Sequence, residues 1–217
     1  LEVEWDDGPH AGLDSTKLRE EFRDLAKTDG ATAAKAGDVA KALGQGATVE
    51  AEYFLPYLAH CPMEPLNCTV KLTADKCEIW TGTQLQTVDQ QNAARITGLQ
   101  PTQVEIHTTF LGGGFGRRAT PTSDFISEAV EVAKASGKVV KVMWTREDDI
   151  HGGYYRPSFL HQAKIALDEK GHPKAWQHVL VGQSIAAGTP MEAMMVKDGV
   201  DATSVEGVSD SPYLKEV

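Results

Sequence analysis

The chain has few cysteines, and their spacing excludes the common cysteine-based metal sites. Cys61, Cys68 and Cys77 are separated by six and eight residues. Neither interval is the close pairing that zinc or iron–sulfur sites require. We therefore expect buried free thiols. Because the number of cysteines is odd, it does not settle the redox compartment.

Positive charge and long apolar runs are also scarce. The sequence has 21 lysines and arginines against 31 acidic residues, a net charge of −10. Binding to nucleic acid needs a basic surplus, so we expect no nucleic-acid partner. No stretch approaches the roughly 20 apolar residues of a membrane helix, so we expect no membrane span.

The patterning predicts a connecting arm followed by a larger domain. Residues 1–50 carry a short strand at residues 1–5 and an acidic helix around residues 13–27, and residues 51–217 form the second, partial domain. The chain begins at Leu1 without an initiator methionine and ends at Val217 without a stop signal. We therefore expect both termini to be cuts through a longer polypeptide.

Strand and helix patterns beyond residue 47 predict an α+β fold, a mixed sheet with packed helices. Strands are predicted over residues 48–54, 68–73, 77–80, 104–110, 138–145, 161–167 and 175–181. Turns at residues 74–76 and 170–171 predict hairpins. One helix covers residues 84–97 and ends at Gly98. Another begins with Thr120 as its cap and Pro121 at its first position, and its apolar face is Phe125, Ile126, Ala129, Val130 and Ala133.

A glycine-rich run, residues 112–118, joins a predicted strand to that helix. It reads Gly112-Gly113-Gly114-Phe115-Gly116-Arg117-Arg118. Each glycine makes the chain costlier to order by about 0.5–1 kcal/mol, so we expect that packing cannot explain four of them. Bare backbone N–H groups and a following helix start favour an anionic or oxo-bearing ligand, and Arg117 and Arg118 add positive charge.

By itself this glycine loop does not identify a ligand, and a tight turn is an alternative. The loop does not open directly onto a helix as a dinucleotide motif does, and it lacks the Lys-Ser/Thr of a phosphate loop. No acidic ribose-binding residue follows at the usual place of a nucleotide-binding unit. A nucleotide-binding domain is therefore disfavoured.

Three further segments flank the loop in a fixed order. They read His60-Cys61-Pro62-Met63-Glu64-Pro65-Leu66-Asn67-Cys68, Glu78-Ile79-Trp80-Thr81-Gly82-Thr83-Gln84 and Trp144-Thr145-Arg146-Glu147-Asp148-Asp149. Together with the loop, the series resembles the molybdenum-cofactor-binding large subunit of the xanthine dehydrogenase and aldehyde oxidase family. The isoquinoline 1-oxidoreductase and bacterial aldehyde dehydrogenase branch is most similar, since two arginines follow the loop. The resemblance covers residues from about 48 to 181.

The resemblance implies a cofactor and the residues that bind it. The cofactor is a molybdenum-pyranopterin (molybdopterin), with the cytosine dinucleotide form as one option, and the metal has no protein ligand. The implied cofactor-binding residues are Gln84, Gly112, Gly113, Gly114, Phe115, Gly116 and Arg117, with backbone N–H groups near Phe115 directed at an oxo ligand. Gln84 has the equal alternative of capping the next helix. Arg156 is implied to face the substrate, with a surface turn as the alternative.

The resemblance also implies a reaction and a partner. The reaction is hydroxylation of an aldehyde or N-heterocycle with oxygen from water, and electrons pass to a small subunit with two [2Fe–2S] clusters. Ala119 replaces the glutamate of purine-oxidising members, and Leu58 stands about where relatives place a glutamine near the metal.

No catalytic residue is assigned within this chain, because the resemblance implies that the family's general-base glutamate lies beyond Val217. The chain alone is therefore expected to be inactive. A non-catalytic binding or assembly module that keeps the fold without the cofactor is the alternative. The resemblance favours a periplasmic location, and the cytoplasm stays open.

Two polar groups outside the loop are expected to be structural. For His60 we expect a ring whose polar atoms are satisfied by the backbone, in preference to a proton carrier. Arg146, followed by Glu147, Asp148 and Asp149, is expected to belong to a salt-bridge cluster at a helix start or in a loop.

Overall fold

The structure, a computed structural model, describes residues 2, 4–6 and 8–212. The chain divides into two compact units: Leu1–Tyr57 with Pro157–Val217, here the first unit, and Leu58–Arg156, the second unit. The domain boundary at residue 50 stays a prediction. No helix among the described residues is both long and apolar enough to cross a membrane.

The described residues form six α-helices and nine strands, joined by turns and loops. The helices are α1 Ser15–Leu25, α2 Val39–Leu43, α3 Gln86–Thr97, α4 Asp124–Ser136, α5 Arg146–His151 and α6 Glu192–Met195. The strands are β1 Thr48–Leu55, β2 Asn67–Leu72, β3 Cys77–Thr81, β4 Val104–Thr108, β5 Val140–Met143, β6 Phe159–Leu167, β7 Pro173–Gly182, β8 Val196–Lys197 and β9 Val200–Asp201.

The sequence predictions for the two ends of the chain can be compared with the structure only where residues are described. Of the predicted first strand, Leu1 and Val3 lie outside the described residues, and Glu2, Glu4 and Trp5 belong to no regular element. Residues 213–217 also lie outside. Between residues 189 and 212 the tail is loop-rich as predicted and contains α6, the short β8–β9 pair and a 3₁₀ turn.

The first unit contains a three-stranded antiparallel sheet in the order β1-β6-β7. The hairpin β6–β7 confirms the turn predicted at residues 170–171. Helix α1 contributes Leu18 and Phe22 to a small core with Leu160 of β6. This helix begins where Asp14 accepts hydrogen bonds from the N–H groups of Thr16 and Lys17, which satisfies donors that the first turn leaves unpaired.

The second unit contains a four-stranded mixed sheet in the order β4-β3-β2-β5, in which only β3 and β4 are parallel. Helix α3 is the crossover between those parallel strands, and Gly98 ends it in the left-handed conformation at φ 80°. Helices α3 and α4 contribute to one core with the sheet. The α+β class with a mixed sheet and packed helices is thus confirmed.

Helix α4 has the predicted face but a different start. Its five predicted apolar residues are all buried. The helix begins at Asp124, so the prediction of Thr120 as its cap and Pro121 as its first residue is wrong. Pro121 lies in a turn, and Ser123 holds the left-handed conformation at φ 50° before the helix. The Thr120 hydroxyl instead donates to the Asp124 carboxylate at 3.0 Å.

The three thiols differ in exposure, and this difference can be measured. Cys68 and Cys77 are buried as predicted, but Cys61 is exposed, so the prediction is wrong for that thiol. Burial raises the pKa of Cys68 to about 12 and that of Cys77 to about 11. Because the thiolate is the reactive form, we expect a thiol reagent to modify one of the three cysteines in the native chain and all three in denaturant. A Cys61→Ser variant that still reacts when native would contradict this.

Candidate functional site

The four segments that carry the sequence resemblance lie together in the second unit. The loop pairs with the first segment, since the Glu64 N–H donates to the Gly112 carbonyl at 3.0 Å and the Gly112 N–H donates to the Glu64 carboxylate at 3.0 Å. The second segment reaches the loop through Gln84, described below. Arg146 of the fourth segment donates to the Pro62 carbonyl at 2.6 Å. The four segments are far apart in the sequence, but they form one site in the second unit.

Arg118 is the main internal support of the loop. Its guanidinium is buried and donates to the carbonyls of Gly113 at 2.8 Å, Gly82 at 3.2 Å and Glu64 at 3.1 Å, and to the Glu64 carboxylate at 2.8 Å. These bonds tie the loop to both preceding segments. Burial lowers the pKa of Arg118, although the carboxylates of Glu64 and Asp149 oppose that effect. Sequence reasoning gave this Arg118–Glu64 clamp no role, because the partners are 54 residues apart.

Arg117 is also turned inward. Two of its nitrogens donate to the Asp124 carboxylate at 3.0 and 2.7 Å, and its guanidinium lies 5.4 Å from the centre of a Trp144 ring. Its Nε is buried and has no acceptor among the described residues. Since Asp124 and Glu64 neutralise the two arginines, the prediction that they add positive charge for a ligand is wrong. The assignment of Arg117 to cofactor binding stays a prediction.

The structure explains the loop glycines through close packing and backbone conformation. A Cβ on Gly112 would lie 2.3 Å from the Glu64 Cβ, and one on Gly114 would lie 2.5 Å from the Gln84 Oε1. Gly113 and Gly116 have φ of 103° and 88°, which disfavours residues with a side chain. The prediction that packing cannot account for the glycines is therefore wrong for Gly112 and Gly114, whereas Gly113 and Gly116 are explained by their positive φ. Their number is not evidence of a ligand.

A ligand is supported instead by unpaired backbone donors. Within the part of the chain that the structure describes, the N–H groups of Gly113, Gly114 and Phe115 have no acceptor, whereas those of Gly112 and Gly116 do. Phe115 holds φ 55° and its ring is largely exposed. Successive N–H groups with alternating backbone handedness bind anions and oxo groups. The residues present therefore fit an oxo-bearing cofactor.

Gln84 contacts the loop and does not cap the following helix. Its Oε1 accepts the Gly116 N–H at 3.2 Å. Helix α3 begins after Leu85, and that end of the helix has no side-chain capping bond. The capping alternative is therefore wrong. The Gln84 Nε2 has no acceptor among the described residues, which leaves it free to donate to a ligand.

Arg156 and Leu58 are neighbours, but their hydrogen bonds do not reach the loop. They form an isolated antiparallel bridge in which the Arg156 N–H donates to the Leu58 carbonyl at 2.9 Å. Both residues are exposed. The assignment of Arg156 to the substrate stays a prediction.

His60 is a candidate that sequence reasoning set aside. Its Nδ1 is buried and has no partner among the described residues, so the expectation that the backbone satisfies this ring is wrong for that atom. Burial lowers the pKa of His60, and the charges of Arg117 and Arg156 add to the effect. A backbone hydrogen bond with Tyr154 acts in the opposite direction on this pKa. The buried Nδ1 is available for a ligand.

Arg146 has the structural role that was predicted. It pairs with Asp149 at 2.6 Å at the start of α5, and the Thr145 hydroxyl accepts the Asp148 N–H at 3.2 Å as the helix cap. This confirms the cluster at a helix start.

Glu64 is expected to make the second unit less stable as the pH falls into the acid range. Burial acts to raise the pKa of Glu64, but hydrogen bonds from Asn67 and Gly112 and the charge of Arg118 outweigh it, so the pKa is lowered. The pKa of a glutamate in an unfolded chain is about 4.3. The stabilisation is therefore complete above that pH and is lost as the pH falls through the lower folded value.

We expect Glu64→Gln to be less stable than wild type in urea at pH 7, with the difference shrinking as the pH falls below about 4.3. Fluorescence of Trp80 and Trp144 follows the second unit in a background that carries Trp5→Phe and Trp176→Phe, since those two tryptophans belong to the first unit. The control is Glu131→Gln, since Glu131 is exposed. A Glu64→Gln difference that is the same at pH 7 and pH 3 would rule out this account.

Comparison with known proteins gives one family model and several relatives. The family described as molybdopterin cofactor-binding domain matches residues 23–203. The isoquinoline 1-oxidoreductase subunit beta of Brevundimonas diminuta is 35% identical over 183 residues, covering 78% of this chain and 23% of that protein. The membrane-bound aldehyde dehydrogenase [pyrroloquinoline-quinone] of Gluconacetobacter polyoxogenes is 28% identical, covering 98% of this chain and 26% of that protein.

Among solved structures, the quinoline 2-oxidoreductase of Pseudomonas putida 86 shares the fold. The TM-score is 0.54 at 19% sequence identity, with 67% of this chain and 19% of that chain covered. The chain thus spans about a quarter or less of the length of these relatives.

Proposed function

This chain belongs to the molybdopterin cofactor-binding domain family, and from that premise we propose that its glycine loop holds the molybdopterin of a molybdenum hydroxylase large subunit. The observation that carries the proposal is the row of three unpaired N–H groups at Gly113, Gly114 and Phe115. The Arg118–Glu64 clamp fixes this row from the inside, so the donors are in place before a ligand arrives.

The residues of this chain would bind and orient the cofactor. The loop N–H groups and the Gln84 amide would donate to its oxo and other polar groups. Phe115, whose ring is exposed, would exclude water from the cofactor. When bound, the cofactor supplies the redox centre that takes up two electrons. The cytosine dinucleotide form of the cofactor belongs to the proposal.

The substrate proposed is an aldehyde or an N-heterocycle. The names of the relatives support both classes, since they include an isoquinoline oxidoreductase and an aldehyde dehydrogenase. In the reaction a C–H bond and one water yield a C–OH group, two protons and two electrons. The electrons would pass to a small partner subunit with [2Fe–2S] clusters. Arg156 would face the substrate, and the general base would come from outside this chain, so the chain alone would be inactive.

The source of the inserted oxygen tests the proposed reaction. The complete enzyme, purified with its partner subunit, is incubated with isoquinoline and an electron-accepting dye in ¹⁸O-labelled water. A heterocycle is the better probe because an aldehyde exchanges its oxygen with water. The expected product carries one ¹⁸O atom. Unlabelled product would contradict water as the source of the inserted oxygen. A purified protein that holds no molybdenum and turns over neither heterocycles nor aldehydes would favour the non-catalytic module.

A further inference from the structure

Two histidines of the first unit lie side by side on one face of the β1-β6-β7 sheet. His161 of β6 is directly opposite Leu180, and Ala163 is directly opposite His178 of β7. Directly opposed residues share a face, so the two imidazoles are diagonal neighbours across adjacent strands. Their rings are 5.2 Å apart, and the His161 Nδ1 is 3.1 Å from the His178 Nε2.

This separation suits two ligands of one metal ion. Zinc–imidazole bonds of about 2.0–2.1 Å place two nitrogens about 2.9 Å apart at a right angle and about 3.3 Å apart at the tetrahedral angle. The observed 3.1 Å lies between these values. The rings now face each other as a hydrogen-bonded pair. Turning both toward a common ion needs rotation about the terminal ring torsion, which is soft in histidine.

The surroundings of the two rings favour neutral imidazole. The ion that binds is therefore one that prefers nitrogen ligands. Burial lowers the pKa of both imidazoles, and His161 lowers that of His178 further. The aromatic rings of Phe159 and Trp176 flank the pair. None of the side chains directly opposite or flanking the pair carries a charge. Magnesium and calcium prefer oxygen ligands, whereas neutral imidazole suits zinc, copper and nickel.

We propose that His161 and His178 form a two-imidazole site for a divalent transition-metal ion of the zinc, copper and nickel class. The continuous β6–β7 ladder holds the two backbones in register, so the ligand positions are set by the sheet. Water completes the coordination. The site belongs to the first unit and is independent of the molybdopterin loop.

Zinc titration of the full 217-residue chain, freed of metal by a chelator, tests the site by calorimetry. The second ligand of a chelate acts intramolecularly, so we expect His161→Ala or His178→Ala to weaken the tightest zinc site about a hundredfold or more. The control is His107→Ala. His107 lies with Glu78 and Glu105 in a separate group whose ligand atoms are within 4.8 Å of one another, and its loss should not change that affinity.

A second measurement does not depend on the folding of the variants. Electron paramagnetic resonance of the wild-type chain with one equivalent of Cu²⁺ should show coupling to two imidazole nitrogens. A signal from one nitrogen or none, wild-type affinity in both histidine variants, or loss of the tight site in His107→Ala would each overturn the proposal.

Discussion

Replacement of Gly114 by valine is expected to strip the complete enzyme of most of its molybdenum. A Cβ at this position would lie 2.5 Å from the Gln84 Oε1 and 2.9 Å from its Cδ, closer than atoms can approach. Either the Gln84 amide moves away and its hydrogen bond with the Gly116 N–H is lost, or the loop moves and the N–H groups of Gly113, Gly114 and Phe115 are displaced. Displacement of supporting groups around a metal site commonly weakens binding by about 10–100-fold. Elemental analysis of purified enzyme measures the loss.

The matched control is Gly30→Val. A Cβ on Gly30 meets nothing within 4 Å, and its φ lies outside the positive range. We expect wild-type metal content in this variant. Wild-type molybdenum content in a folded Gly114→Val enzyme would contradict the role given to the loop.

Arg118→Leu is expected to destabilise the second unit by about 3 kcal/mol. The substitution removes four hydrogen bonds of one guanidinium. It also leaves the carbonyls of Gly82 and Gly113 without these donors. Removing one partner of a buried ion pair costs about 3–5 kcal/mol, and we take the lower end because the Glu64 carboxylate is 37% exposed. Urea unfolding at pH 7, followed by tryptophan fluorescence, measures the change.

Two further variants separate this explanation from a general effect of losing an arginine. Arg118→Lys keeps the charge but not the planar fork, so an intermediate loss is expected. Arg95 is exposed on α3, and Arg95→Leu is expected to change the stability by no more than about 0.5 kcal/mol. If Arg118→Leu and Arg95→Leu lowered the free energy of unfolding equally, the Arg118–Glu64 clamp would contribute no more to stability than an exposed arginine.

The elements of the fold could be predicted where one local signal dominates. The alternation in β4 and the apolar spacing of α4 lead to the observed strand and helix face, because each depends on burial of one side. The start of α4 could not, since Thr120-Pro121 carries a sequence signal for a helix start. Tertiary contacts decide there instead: the Thr120 hydroxyl holds the Asp124 carboxylate, and that carboxylate is the partner of Arg117.

The contacts that build the candidate site could be predicted only in part. The order of motifs indicated the loop and Gln84 as parts of one site, and the structure shows that they contact each other. The directions of Arg117 and Arg118 could not be predicted, because a sequence does not show that Asp124 and Glu64 lie beside them. The same holds for the reason behind each glycine, since Glu64 and Gln84 approach the loop from 48 and 32 residues away in the chain.

Amide hydrogen exchange in the glycine loop tests most directly the claim that its backbone donors hold the cofactor. The complete enzyme is compared in its molybdenum-loaded and cofactor-free forms, with exchange followed by mass spectrometry in a peptide that contains residues 112–118. We predict that loading slows exchange at Gly113, Gly114 and Phe115, while peptides from β6 and β7 exchange at the same rate in both forms. Equal exchange of the loop in the loaded and cofactor-free enzyme would contradict the assignment.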